Sequence, residues 1–314
     1  MKKPPFPLLG ITLAGVLAFF SAPVRADTFG VGGNTFSIPF VPIGNPGNAA
    51  DTSTYGAVSS IFNMSTYAIS QDEITKATAS GLTSVTAGAW TGSQPAANMT
   101  WYEAAAFVNW LNTSTGHSVA YNLNAGATAL TLWTPSDAGY NAANLYRNNN
   151  AYYFLPSENE YYKAAYYDPN KAGGAGYWQY ATGSNTAPTA VASGTGAGTA
   201  VYGGGAVVAP AAVDQSGGLS PYGTMGQTGN VYEWMESAFD GTNDVSSEGR
   251  AVRGGSWLAP ASSLQSSIRL NSTPSSASNT IGFRVASVPE PSSTVLTIGP
   301  CLMFLARRRR ARSL

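Results

Sequence analysis

The sequence predicts one loop-rich domain of mixed α and β structure, with a few short helices and short strands. Three observations lead there. A Ser or Thr stands three residues before a Glu at Ser70 and Glu73, Thr100 and Glu103, and Ser157 and Glu160, the spacing of a helix-opening capping box. From residue 229 onward, short β-prone stretches alternate with turns: GNVYEW, RAVRGGSW, SSIRL and IGFRVAS. Gly, Ser and Thr fill much of the remainder, and 35 glycines break the chain into short elements.

Taken in order, the chain opens with Lys2 and Lys3, an apolar run over 8–20 and small residues up to Ala26. This is the pattern of a secretory leader over 1–26, so the mature chain is expected to begin near Asp27. The domain is then expected over 27–287. Its first helix follows Ser70, although Thr75 offers a second cap. The second is better defined, because Trp101, Ala105, Val108 and Leu111 share one face. The third follows Ser157. Between 173 and 212 the composition turns to Gly, Ala, Thr and Val with almost no charge, which reads as surface loops or short strands. No repeat of solenoid or propeller period is present. Residues 288–314 form a separate tail: Pro289, Glu290 and Pro291, an apolar stretch over 295–306, then arginines at 307–310 and 312. Twelve apolar residues fall short of a comfortable span. They can still insert if the bilayer thins and the arginines stay on the inner side.

The zero net charge of the whole chain conceals an acidic body. Lys2, Lys3 and Arg25 lie in the leader and five arginines in the tail, so eight basic residues face 15 acidic ones in between, the sixteenth, Glu290, lying in the tail. Nucleic acid, which requires a basic face, is not an expected partner. The single cysteine, Cys301, lies in the apolar tail, and the single histidine is His117. No intrachain disulfide can form, and zinc sites of His and thiolate or a Cys–His nucleophile are excluded.

The segments YAISQDEIT, NMTWYEAAAFVNWLN, FLPSENEYYKAA, GQTGNVYEWMES, AVRGGSW and IGFRVAS occur in one order. In that order and spacing the chain resembles the formylglycine-generating-enzyme, or sulfatase-modifying-factor, family over roughly 60–287. The resemblance implies an α+β, loop-rich fold related to the C-type lectins. The terminal VPEPSS, apolar run and arginines resemble the PEP-CTERM sorting signal of exopolysaccharide-producing Gram-negative bacteria. That implies export to the cell envelope or beyond. Exosortase-type sorting machinery would engage Pro289, Glu290 and Pro291, and residues 295–306 would form a membrane anchor open to processing.

Oxidase members of the family convert a cysteine in a Cys-x-Pro-x-Arg peptide to formylglycine with copper held by two cysteines. Those cysteines lie two and seven residues past the aromatic of the Arg-Gly-Gly-Ser-aromatic motif. Counted from Trp257, the positions are Ala259 and Leu264. Neither can supply a thiolate, so copper is not expected. Members that perform iron-dependent sulfoxide chemistry use histidines on an added domain, and this chain has neither. The resemblance also implies a calcium site built from the carbonyls of Gly229 and Val231 and the carboxylate of Glu233, oxygen donors that suit a hard cation. A further ligand position, usually Asp or Asn, is Gly226 here. The competing role for Glu233 is an ion pair with a core arginine, Arg253 or Arg284. A ligand groove would lie where the oxidases hold their peptide, beside Trp257, Ala259, Ser262 and Leu264.

The residues offer little other chemistry. Glu158 and Glu160 could suggest a glycosidase pair. Two residues apart on a helix they point to different faces, so a cap and an ion pair are the expected roles. His117 has no serine motif to serve. Eight tyrosines and Trp178 between residues 152 and 180 either pack in the core or line a surface where sugars or peptides stack. Two classes of function follow. One is a non-catalytic binding or structural module for an extracellular polysaccharide or protein. The other is an oxidase-type enzyme acting on protein cysteine by an atypical mechanism, which the missing cysteine pair argues against.

Overall fold

In the computed structural model, residues 25–290 are described except Ala87 and Ala206. All three capping boxes close. In each, the Ser or Thr oxygen accepts from the Glu backbone N–H and the Glu carboxylate accepts from the cap backbone. They open helices α1 (Gln71–Ala79), α2 (Trp101–Ser114) and α3 (Glu158–Tyr166). Each box meets two backbone donors that a helix start leaves unmet, worth about 1 kcal/mol. Helix α2 is the centre of the main core. Trp101, Ala105, Val108 and Leu111 are all fully buried, against Phe29, Phe40, Tyr153, Trp234 and Phe283. At its far end Asn112 is buried as well. Its amide accepts from Tyr152 N and Tyr153 N and donates to Tyr153 O, so it replaces a sheet partner for that strand.

Two sheets share this core. The first runs β1 (Arg25–Phe29), β2 (Phe36–Ile43) and β3 (Phe62–Ser65), then the strands Ala286–Ser287 and Tyr153–Phe154, every pairing antiparallel. The second orders the strands Leu270–Ser272, Arg250–Arg253, Tyr232–Ala238 and Ile281–Gly282, the last pair parallel. The segment IGFRVAS therefore belongs to both sheets, and Phe283, Arg284 and Val285 between its two strands are fully buried. The segment 173–212 holds only two-residue strands and loops. SSIRL is mostly turn and becomes a strand only at Leu270. Arg25 and Ala26 pair with Phe40 and Pro39, so the described fold starts two residues before Asp27. Pro289 and Glu290 are described, with Glu290 2.9 Å from Arg25, whereas Pro291 and residues 295–306 lie outside the described residues. Among the described residues, no helix is long and apolar enough to cross a membrane.

Candidate functional site

The Arg-Gly-Gly-Ser-Trp turn and the Gly-Asn-Val-Tyr-Glu-Trp turn are bonded to each other. Gly229 N donates to Gly254 O and Trp257 N to Asn230 O, both at 2.7 Å. A third segment locks the pair: Asn230 N donates to Val201 O, Gly204 N to Trp257 O and Gly203 N to Ala259 O. So close a backbone crossing leaves no room for side chains. At Gly254 (φ 100°) an added Cβ would lie 2.5 Å from Tyr161 Oη, and at Gly229 (φ 88°) 2.4 Å from Val201 O.

Arg253 anchors the turn from beneath. Fully buried, it donates to Glu158 at 2.6 Å and to the carbonyls of Ser266 and Ile268. Arg269 grips the same carboxylate with two nitrogens, at 2.7 and 2.8 Å. Two guanidinium groups share one carboxylate here. The surplus positive charge lies over aromatic faces: Arg253 over Tyr55 and Tyr162, Arg269 over Tyr55 and Phe239. Glu158 is thus an ion-pair partner and Glu160 a cap, held also within 3.9 Å of Arg147. Neither faces the other across a substrate.

The four positions expected to border a groove divide into two kinds. Ala259 and Leu264 turn inward and pack with Tyr180 and Ala200, so their side chains line no groove. Trp257 is half-buried against Val201, Val207 and Ala211, with Trp90 edge-on at 5.8 Å, and Ser262 is exposed. The Trp257 indole N–H is buried without a partner among the described residues.

The calcium donors fare differently from the expectation. Glu233 is fully buried, and Arg284 takes both its oxygens, at 2.5 and 2.8 Å. Arg284 spends its other N–H groups on the carbonyls of Ser65 and Met225. Burial pushes the Glu233 carboxyl up from its usual range, and Arg284 pulls against that. A calcium ion at Gly229, Val231 and Glu233 would have to displace a guanidinium from a closed core and find six or more oxygens there. The residues do not fit it. Among the described residues, no cluster of three or more His, Cys, Asp or Glu is placed to hold a metal ion.

His117 is exposed and stacked on Tyr152 at 4.7 Å, with no triad around it. Of the aromatic cluster, Tyr153, Tyr161, Tyr162, Tyr166, Tyr167 and Tyr180 are core, and Tyr152, Tyr177 and Trp178 are half-buried. Sequence reasoning missed a third fully buried arginine. Arg250 lies over the rings of Trp101 and Tyr146 at 4.6 and 4.0 Å and donates to the backbone carbonyls of Glu248 and Ser246, with no carboxylate paired to it among the described residues. Its only signal was its place in the short strand Arg250–Arg253, three residues before the arginine of the motif.

The family described as sulfatase-modifying factor enzyme 1-like domain matches residues 51–288. Among solved structures, the fold is similar to Treponema denticola variable protein 1, at 20% identity and a TM-score of 0.57, over 85% of this chain and 100% of that one. It is similar to CarF at 19% identity and 0.55, over 81% and 99%. The third is PvdO from Pseudomonas aeruginosa, at 18% identity and 0.51, over 85% and 100%. At such identities these likenesses speak for the fold alone. No curated protein matches the sequence.

Proposed function

The chain belongs to the sulfatase-modifying factor enzyme 1-like domain family, and from that premise we propose that it is a non-catalytic member. On this reading it is an exported binding or structural module, held at the envelope of a Gram-negative-type cell through its PEP-CTERM tail. Its ligand is an extracellular polysaccharide or protein. One observation carries the proposal. Ala259 and Leu264, the counterparts of the copper-binding cysteines by resemblance, are buried apolar side chains in one cluster. No thiol lies among the described residues to replace them, since Cys301 is in the tail. The Arg-Gly-Gly-Ser-Trp frame then serves as architecture, tying three segments together where the oxidases would also place metal.

Charge narrows the ligand. Nine basic residues fall within 25–290, and Arg147, Lys163, Arg250, Arg253, Arg269 and Arg284 among them are largely or wholly inside. The solvent-facing surface therefore carries mostly carboxylates, including Asp214, Asp240 and Asp244. An anionic polysaccharide would be repelled, and a neutral one or a protein is favoured.

The test is a glycan array probed with the full chain, in calcium and then in chelator, alongside an assay on a Cys-x-Pro-x-Arg peptide. Saturable glycan binding that is indifferent to chelator, with the peptide unchanged, is the expected result. Conversion of the peptide cysteine to formylglycine would overturn the reading and restore the oxidase-type alternative.

A further inference from the structure

A cavity of about 520 Å³ opens beside the start of α2, away from the Arg-Gly-Gly-Ser-Trp turn. That volume lies in the range that holds small organic ligands. Its walls come from four separate stretches of chain, around Ser84, Asn98, Ala127 and Ser275. Six non-glycine residues among those described adopt left-handed backbone, and three of them line this one cavity: Ser84 (φ 61°), Asn98 (φ 64°) and Ala127 (φ 48°). An alanine there has no side-chain hydrogen bond to offset the strain. Surrounding structure must hold these backbones in place, as it does where a site is built to a shape.

The lining also decides what could enter. No Lys or Arg contributes, so nothing would compensate a phosphate, sulfate or carboxylate. The one carboxylate is Glu103, and its oxygens are already taken. Oε1 accepts from Thr86 N and Oγ1, and Oε2 from Thr100 N and Oγ1. Burial works to raise the Glu103 carboxyl, but those hydrogen bonds outweigh it and hold it below its ordinary value. It stays ionised and saturated, and offers a cation nothing. What remains open is neutral. Asn98, Tyr102 and Ser275 also line the cavity, Asn98 and Ser275 at its exposed rim, and their side chains make no hydrogen bond to the described residues. Val85, Ala127 and the Tyr102 ring supply apolar surface between them.

We infer that this cavity is a binding site for a neutral polyhydroxylated ligand, a sugar unit of an uncharged polysaccharide, held by Asn98, Tyr102 and Ser275. The inference rests on the reading of the chain as a binding module, and it moves the ligand from the Trp257 side to the α2 side.

The experiment is isothermal titration of the full chain with neutral tetrasaccharides of glucose, mannose and galactose, and with tetragalacturonate as the charged counterpart. Two substitutions keep the fold. Tyr102→Phe removes one hydroxyl from a packed ring, and Asn98→Gly removes the amide at a backbone angle that glycine prefers. At least one neutral tetrasaccharide is expected to saturate, and each substitution to weaken it roughly fivefold. Tetragalacturonate should not bind. Binding indifferent to both substitutions but lost in Trp257→Ala would overturn the cavity and leave the module reading intact. Absence of binding to every neutral sugar would also overturn it, leaving a protein ligand for the module. Tetragalacturonate binding as tightly as the neutral sugars would refute the chemistry assigned to the lining.

Discussion

Gly254 shows what the crossing of the two turns demands of a single residue. Its φ of 100° is costly for any side chain, and Tyr161 Oη occupies the place of a Cβ at 2.5 Å. Gly241 provides the control, with φ 92° and nothing within 4 Å. Gly241→Ala should lose about 1 kcal/mol through backbone strain alone. Gly254→Ala should lose about 3 kcal/mol or more, because Tyr161 must also leave its position beside Gln227 O. Urea midpoints of the two variants measure the difference. Equal losses would mean that the crossing of the two turns tolerates a methyl group, and the frame would not be held by close packing. The need for glycine at 254 and 255 was legible in the sequence. The identity of the obstructing atoms was not, because Tyr161 lies more than ninety residues away and nothing local announces it.

At the scale of elements, legibility follows the range of the interaction. The three capping boxes are readable because both partners lie within four residues. The pairing of Ala286 with both Met64 and Phe154, by contrast, is decided by burial of the whole sheet. The same holds for the candidate site: the Arg253 motif could be read, while its junction with Glu158, Arg269 and Tyr55 required the fold. The boxes differ in one respect that can be tested. Burial pushes the Glu73 carboxyl up to about 7, although hydrogen bonds from Ser70 oppose this. A folded carboxyl that titrates above its unfolded value binds more protons than the unfolded chain between about pH 4.5 and 7. The contribution of Glu73 to stability is therefore greatest below pH 4.5 and falls as pH rises through 7. Glutamine also serves at this position of a capping box. Melting temperatures from pH 4.5 to 7.5 should fall less steeply in Glu73→Gln than in the parent chain, with helix content unchanged. Parallel slopes would show that the Glu73 carboxyl titrates normally. Thr100→Ala carries a simpler expectation, a loss of about 1 kcal/mol or more in denaturant unfolding, since its hydroxyl serves both helix α2 and Glu103.

The whole molecule depends on how the two sheets are joined, and Arg284 is the joint. It stands between the strands Ile281–Gly282 and Ala286–Ser287, bonds Glu233 in the second sheet and reaches the Ser65 carbonyl at the end of β3 in the first. An ion pair so deeply buried gains little over an apolar pair of the same shape, but losing one partner strands the other charge without solvent. Arg284→Met should therefore cost about 3–5 kcal/mol, and Arg284→Met with Glu233→Leu should recover part of that. Recovery will be incomplete, because the Ser65 and Met225 carbonyls lose their donor in both variants. The same pair predicts the response to metal. A ligand that binds only the folded state at a hundredfold excess over its dissociation constant adds about 2.7 kcal/mol, a readily visible rise in melting temperature. With both Glu233 oxygens committed to Arg284, neither millimolar calcium nor chelator should move the melting temperature of the parent chain. A rise with calcium that disappears in Glu233→Gln would mean that Arg284 yields the carboxylate to the ion. The joint between the sheets would then be a metal site rather than an ion pair.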